Sequence, residues 1–518
     1  MVKIQINGKV KKVREGSTIL DALRDDGIHV PTMCFLENTE HFPTCMVCIV
    51  KDQRTNKFIP SCSTLVAPDM DIITHDKEVK EARKTALELL LSDHVGECDA
   101  PCQTNCPAHM DIPLMNRLLA AGKFDEALRV VKKDIALPAV LGRICPAPCE
   151  RACRRRSIDE PVSICTLKRY AADHDLEHQL SFLPEKEPLN GKRIGIIGTG
   201  PAGLSAAYFL LQKGYQCILY DKNPLPGGAL RYAVPDDRLP KDILDQEIEL
   251  IEKLGAVFKM NKELPANGLK KLRNEFDGII VATGEDNADF EELEKKNRAF
   301  VTERNTHKTA IEGVFAIGSA IKPGRVAIRA LAHGKEAALA MDQYLNKEDV
   351  VGEVSMFNSR IGKMIQEEYH DFMLEADEGP RIETEGTEGF TSEQVKKEAL
   401  RCMHCDCREK HDCKLRIYSD QHGSNQKRFF PKEREPVRKI FKNKPVVYEP
   451  EKCIKCGICV KITSIHKEEL GLTYIGKGFD VEISAPFDEE QKNVLKKTAA
   501  LCAEKCPTGA LALREKIE

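Results

Sequence analysis

The sequence predicts a multidomain chain mixing α/β and α+β architecture, and three observations carry that reading. The 518 residues, 42% of them apolar, are enough to fill about three or four cores. The hydrophobic period changes along the chain, from short alternating strand patterns up to about residue 75, through helical spacing, to an apolar strand, glycine turn, helix and second strand beginning at Arg193. The 21 cysteines fall in short clustered groups, which in a reducing compartment reads as sets of ligands and not as a disulfide framework.

Taken in order, these signals divide the chain at residues 1–78, a small β-rich domain; 79–186, a helical domain rich in cysteine; 187–348, the βαβ domain; 349–445, a linker and Cys-rich segment; and 446–518, a second small cysteine domain. Residues 350–400 are charged and dotted with glycine, as an exposed connection would be. The net charge of −3 excludes a general attraction to nucleic acid or to an anionic membrane. No apolar run has the length of a spanning helix, and "MVKIQINGKVKKV" alternates like a strand instead of opening a signal peptide, so a cytoplasmic protein is expected.

The first cysteine group is Cys34, Cys45, Cys48 and Cys62, spaced C-x10-C-x2-C-x13-C. Four thiolates around one long loop suit a 2Fe-2S centre better than a zinc site, which usually comes as paired short knuckles. The second group holds seven thiols, Cys98, Cys102, Cys106, Cys145, Cys149, Cys153 and Cys165, where two cubane clusters need eight ligands. The third, "CMHCDCREKHDC", supplies Cys402, Cys405, Cys407 and Cys413, with zinc as an alternative to a cluster. In the fourth, Cys453, Cys456 and Cys459 follow C-x2-C-x2-C, Thr463 stands where a further cysteine belongs, and Cys506 before Pro507 closes the set. Cys502 is an orphan or an alternative ligand there, and Cys217 in "YQCILYD" is core. The basic "CRRRS" reads as a solvated face, and "KRFFPKEREPVRKIFKNK" as a packing or docking strap.

"GTGPAG" places Gly198, Gly200 and Gly203 between strand and helix, and Asp221 closes the second strand 18 residues later. Glycines permit the tight turn and a close approach of pyrophosphate to backbone N–H groups, while the acid takes ribose hydroxyls.

These motifs carry resemblances to known families. The first group, with "IPSCSTLVAPDMDIITHD", resembles the N-terminal, β-grasp-like 2Fe-2S domain of the large iron-sulfur subunit of NADH:quinone oxidoreductase and of iron-only hydrogenases, departing from it at "TCMVC". "HVGECDAPCQTNCP" and "GRICPAPCERACRRRS" resemble the N-terminal domain of the glutamate synthase small subunit and of dihydropyrimidine dehydrogenase. That resemblance implies one 4Fe-4S cluster on Cys98, Cys102 and Cys153 and another on Cys106, Cys145 and Cys149. His94 and Cys165 are the candidate fourth ligands.

"PGGALRYAVPDDRLPKDILDQEIELIEKLGAVF", "DGIIVATG" and "GVFAIGSAIKPGRVAIRALAHGKEAALAMDQYL" are similar to the flavin domain of that same subunit. They imply FAD on a Rossmann-like domain, with Gly198, Gly200, Pro201, Ala202, Gly203, Asp221, Lys222, Gly227, Gly228, Arg231, Ala282, Thr283, Gly284, Gly318 and Ser319 around it. Gly318-Ser319 departs from the family's Gly-Asp pair. The family inserts a whole NAD(P)-binding domain between the last two segments, and here only 27 residues separate Gly284 from Glu312, too few for one. "EDNADFEELEKKN" reads as a polar helix or loop.

The C-terminal segment is ferredoxin-like. The resemblances imply FAD, one 2Fe-2S cluster and about four 4Fe-4S clusters, in an electron-transferring subunit of a larger, anaerobic oxidoreductase complex. Its expected partners are other subunits and a ferredoxin, and no residue constellation for a terminal reaction is found. Two other readings stand beside it: a self-contained FAD oxidoreductase acting on a small substrate, and an NAD(P)H dehydrogenase with a noncanonical nucleotide site.

Overall fold

The alternation of "VKIQI" and "KVKKV" builds an antiparallel hairpin, β1 (Val2–Ile6) and β2 (Lys9–Val13), with Ile4 and Ile6 buried on one face. In the computed structural model, which describes residues 1–39, 42–178, 182–285, 290–324, 326–384, 388–431, 433–440, 445–486 and 494–514, the chain divides into two units. The first joins Met1–Asp99, Met356–Glu375 and His404–Glu518, and the second joins Ala100–Ser355 and Ala376–Met403.

In the first unit, β3 (Ile49–Asp52), β4 (Lys57–Pro60) and β5 (Asp71–Ile73) complete a five-stranded sheet of order β2-β1-β5-β3-β4. Helix α1 (Ile19–Asp25) starts at a reciprocal capping box between Thr18 and Asp21, and its Ile19, Leu20 and Leu23 join Ile4, Ile6, Val50 and Ile72 in one core. Helix α2 (Lys77–Asp93), N-capped by Asp76, buries Val79, Leu87 and Leu91 and ends at His94.

The second unit begins with six helices: α3 (Pro101–Asn105), α4 (Ile112–Ala120), α5 (Phe124–Lys132), α6 (Pro138–Ile144), α7 (Pro148–Arg151) and α8 (Ile164–Glu177). The apolar runs that follow form β6 (Arg193–Ile197), α9 (Pro201–Gln212), β7 (Gln216–Tyr220), α10 (Ala229–Tyr232), α11 (Lys241–Lys253), β8 (Val257–Lys259), α12 (Gly268–Leu272) and β9 (Gly278–Val281). Beyond β9 lie β10 (Lys295–Lys296), β11 (Ala299–Phe300), β12 (Val314–Ala316) and α13 (Ala327–Leu345). The all-parallel sheet has the order β12-β9-β6-β7-β8, and α13 packs along α9, where Gly334 lets the helices approach: a Cβ there would lie 2.6 Å from the Ala202 carbonyl oxygen.

Three expectations change. Of "EDNADFEELEKKN", residues 286–289 lie outside the described residues; the rest is an apolar-anchored ribbon, β10 against β11, with Phe290, Leu293 and Phe300 in the core of the parallel sheet. Residues 350–400, of which 385–387 lie outside the described residues, are an exposed connection only in part. Within them α14 (Gln366–Met373) buries Phe372 in the first unit and α15 (Ser392–Leu400) buries Val395 and Ala399 in the second. Glu398 of α15, fully buried, accepts the Ser163 and Ile382 N–H groups at 2.8 Å each and pairs with Arg401 at 3.0 Å. In "CRRRS", Arg155 is fully buried, held by Asp159 and by the carbonyls of Asp377 and Arg401, so only part of that run is a solvated face.

The first unit resumes with α16 (Lys414–His422), which packs on α2, then β13 (Val446–Tyr448), α17 (Ile458–Ile465), β14 (Thr473–Ile475), β15 (Glu482–Ser484), α18 (Ala499–Lys505) and β16 (Leu511–Leu513). The basic strap lies down on it through ion pairs: Arg428 to Glu88, Arg434 to Glu368, Arg438 to Glu451 and Lys439 to Glu375. Residues 432 and 441–444 of the strap are outside the described residues.

Candidate functional site

The register of the β3–β4 hairpin, Ile49 opposite Pro60, sets Cys48 just before one strand beside Cys62 just after the other, and their sulfurs lie 3.2 Å apart. Cys34 and Cys45 come from the loop between α1 and β3, and all four thiols are buried. The Cys45 thiol, donating to Cys34, holds Cys34 well below the ordinary thiol range, and the Cys62 thiol lowers Cys48 to about 7. The same contacts, with burial, push the Cys45 and Cys62 thiols up, so the set divides into two thiols favoured as thiolate, the form a metal centre binds, and two that donate to them.

In the second unit, Cys106 ends α3, Cys145 ends α6, Cys149 sits in α7 and Cys165 in the first turn of α8. Their thiols surround Lys168, which is buried with its Nζ 4.0 Å from the Cys165 sulfur. Burial works against the ammonium, but the four thiols together outweigh it and raise its pKa. The expected trio is thus together, with Cys165 beside it. Cys102 lies on α3, which packs on α7; Cys153 directly follows that helix. Cys98 belongs to the other unit.

At the C-terminus, Cys453, Cys456 and Cys459 lead into α17 while Cys506 caps α18, and an apolar cavity between them is walled by Tyr448, Ile458 and Ile483. Cys506 lines this cavity together with Cys453, Cys456 and Cys459. Thr463 is buried with its hydroxyl on the Val460 carbonyl, and Cys502 is fully buried, lining the same cavity with its sulfur 4.0 Å from the Cys459 carbonyl oxygen. Cys217 is core. Cys402, Cys407 and Cys413 are buried and Cys405 half-buried. Among the described residues, no three His, Cys, Asp or Glu side chains converge as ligands of one ion.

The dinucleotide turn joins β6 to α9 at the carboxyl ends of the parallel strands. Gly198 has φ +108°, and a Cβ there would lie 2.3 Å from the Ala282 carbonyl oxygen; one on Gly203 would lie 2.0 Å from that of Gly198. Gly228 approaches Gly200 so closely that its Cβ would meet the Gly200 Cα at 2.7 Å, and the Gly227 N–H donates to Thr199. Pro201 and Ala202 open α9, Gly318 sits against Ala202, Thr283-Gly284 follows β9, and Ser319 bonds Gly324. Arg231 is turned to Pro226 and Asp245, and Lys222 is exposed. Asp221 is occupied: one carboxylate oxygen accepts from the Thr199 N–H and hydroxyl at 2.8 and 2.7 Å, the other from the Asn223 backbone and side chain at 3.0 and 2.9 Å. It ties the second strand to the glycine turn.

Sequence reasoning missed Lys168, although it stands one turn after Cys165 on a helix read from its period. It also missed the buried pair of Arg416 and Asp99, whose bonds are 2.7 and 3.1 Å, and the buried Lys452 paired with Glu449 at 2.6 Å.

Family models match three stretches of this chain: a 2Fe-2S iron-sulfur cluster binding domain over residues 1–77, dihydropyrimidine dehydrogenase domain II with its 4Fe-4S cluster over 74–180, and an NAD(P)-binding Rossmann-like domain over 196–260. The chain is 33% identical over 238 residues to the β subunit of the NADPH-Fe(3+) oxidoreductase of Geobacter sulfurreducens, covering 45% of this chain and 35% of that one. It is 37% identical over 207 residues to the β subunit of the NADP(+)-dependent formate dehydrogenase of Moorella thermoacetica, covering 36% and 29%. It is 34% identical over 184 residues to the NADPH glutamate synthase small chain of Bacillus subtilis, covering 35% and 37%. The chain thus spans about a third of the length of these relatives. It combines a 2Fe-2S domain, a 4Fe-4S domain and a Rossmann-type dinucleotide fold, the equipment of an oxidoreductase subunit. No helix among the described residues is long and apolar enough to cross a membrane.

Proposed function

We propose that the chain is the FAD and iron-sulfur electron-transferring subunit of an oxidoreductase complex, passing electrons between a flavin, its own clusters and partner subunits. The observation that carries this reading is the continuity of thiol sets within the first unit. Cys34 and Cys45 share one apolar cluster with Leu87, Leu91 and Cys413, and Cys456 packs against it; Cys413 in turn feels the charge of Cys506. Members of three of the four sequence groups are therefore neighbours in one body, as successive one-electron carriers must be.

Bound in these sites, FAD exchanges one or two electrons and each cluster passes one. The chain's own residues prepare the sites. The Gly198–Gly203 turn would offer backbone N–H groups to a pyrophosphate, Gly228 lets its own loop pack against Gly200 of that turn, and apolar walls such as Tyr448 and Ile483 exclude water from the thiols. The described part of the span from Gly284 to Glu312 holds only the β10–β11 ribbon, whose apolar anchors belong to the flavin domain's own core. This supports a chain without the relatives' seat for a hydride donor.

The test is anaerobic mixing of the purified chain with NADH, NADPH and dithionite, following flavin and cluster bleaching, with FAD, iron and sulfide quantified on the same sample. Bleaching by dithionite and by neither nucleotide supports the relay. Rapid reduction by stoichiometric NADH or NADPH, a nucleotide that the names of the relatives carry, would make the chain itself the dehydrogenase.

A further inference from the structure

With Cys217 in the core of the parallel sheet and Cys502 beside four C-terminal thiols that already make a full set, 19 cysteines remain for the roughly five four-ligand clusters of the proposed relay, so that reading calls for one ligand that is not a cysteine. The surroundings of Cys98 point to it. In the first unit the Cys407 N–H donates to the Cys98 carbonyl at 3.1 Å, and Cys98, Cys407 and Cys413 lie close enough for each to act electrostatically on another. All three are buried. The Ser359 N–H points at the Cys98 sulfur at 3.4 Å and the Arg416 N–H at the Cys413 sulfur at 3.5 Å, the backbone donors that anionic cluster sulfurs require.

His94 ends α2 four residues before Cys98 and is buried. Its Nδ1 meets the Lys452 carbonyl at 3.1 Å, and because a carbonyl only accepts, that nitrogen carries the proton. Nε2 is thereby left as the electron-pair donor, the tautomer a metal-ligating histidine adopts when a carbonyl orients it. The flanks are cleared by glycine. A Cβ on Gly96 would lie 3.2 Å from His94 Nε2, and one on Gly509 would lie 2.1 Å from the Cys407 sulfur. The buried Lys452 ammonium, paired with Glu449, acts on Cys407, and the Arg416 guanidinium, paired with Asp99, acts on Cys98, so each cation stands beside one of these thiols with its own carboxylate partner.

We propose that His94, Cys98, Cys407 and Cys413 together hold one 4Fe-4S cluster. This withdraws Cys98 from the set with Cys102 and Cys153 and leaves Cys402 to the second unit, where Arg155, close after Cys153, binds the carbonyl of the residue before Cys402 at 2.6 Å. A neutral imidazole in place of one thiolate makes the cluster one charge less negative, which raises its potential above that of an all-cysteine cluster, as histidine does at Rieske centres.

The proposal rests on reading the thiol sets as iron-sulfur clusters, and the experiment separates the two. Iron, sulfide and zinc are quantified on the full chain, and cluster signals are resolved by electron paramagnetic resonance after stepwise reduction, on protein with ¹⁵N-labelled histidine. The expected result is one signal with a histidine nitrogen coupling, lost together with about four irons in both Cys98→Ala and Cys413→Ala, and kept in Cys402→Ala. In His94→Cys the same signal should persist without the coupling and titrate at lower potential. A shared loss in Cys98→Ala and Cys402→Ala, or a wild-type chain with clusters but no histidine coupling, would overturn the assignment while leaving the relay standing. Zinc in place of iron would overturn both.

Discussion

A buried ammonium needs a counter-charge, and Lys168 has no ion pair with a carboxylate among the described residues; its hydrogen-bond partner is the Cys165 sulfur, with Cys106, Cys145 and Cys149 around it. Four thiols and one desolvated cation make sense when the thiols carry a net negative centre, because an unpaired charge in such a site costs several kcal/mol. Removing the cation should then make the centre harder to reduce. At an effective dielectric near 20 and a separation of roughly 6 Å, one unit charge acts on an added electron with about 3 kcal/mol, on the order of 100 mV. Lys168→Met is expected to move the midpoint of one cluster to more negative potential by that order and to leave the others in place, as read by potentiometric titration of the separate signals. An unchanged set of midpoints would show that Lys168 is charge-compensated in another way.

At the scale of elements, the parts that work are those where a strand or helix end delivers a residue with no room to spare. The β6–α9 turn is one. A Cβ on Gly203 falls 2.0 Å from the Gly198 carbonyl oxygen, so Gly203→Ala must push the helix off the turn; the purified variant is expected to lose most of its FAD and to keep its iron. Retained FAD would mean that the turn does not bind it.

The joint between α6 and α11 is another such part. Glu247 of α11 accepts the Ala139 and Val140 N–H groups at 3.1 and 2.9 Å at the start of α6, the helix that ends at Cys145. Burial raises its carboxyl to about 7 against the pull of Lys132 and of those two donors. The fold thus favours the protonated acid. The stability this contributes is complete below about pH 4.5 and is lost as the pH rises through about 7, a change of roughly 3 kcal/mol. Glu247→Gln is expected to narrow the gap between thermal midpoints measured at pH 5 and pH 8. An equal gap in variant and wild type would place the titration elsewhere.

On the scale of the whole molecule, local spacing told far more than segments did. The Cys34–Cys62 set, the Cys453–Cys459 run and the glycine turn were legible because each is built from residues close in sequence, where the loop length or period already states the geometry, while Cys506 was legible from the Pro507 that follows it. Cys98 was not legible, because its neighbours Cys407 and Cys413 come from beyond the entire Rossmann domain and no spacing rule spans such an interruption. Residues 350–400 were legible only in part, for another reason. Their two helices each bury only a few apolar side chains, so charge dominates the composition while Phe372, Val395 and a buried Glu398 do the packing.

The interleaving of segments also bears on how independent the N-terminal domain is. Met33, Cys34, Cys45 and Val47 are covered by Leu87 and Leu91 of α2 and by Leu415 and Tyr418 of α16, so one wall of the first thiol set belongs to residues far down the chain. A fragment of residues 1–78 keeps the five-stranded sheet and its core, and on its own it exposes that wall. It is therefore expected to fold and to take up a 2Fe-2S cluster, but to lose its visible absorbance to air or chelator at least about tenfold faster than the full chain, equivalent to ~1.4 kcal/mol of protection. Fragments extended to residue 98 should recover only the share that α2 supplies. Equal lifetimes in fragment and full chain would show that the first set is autonomous and that its contact with α16 does not shield it.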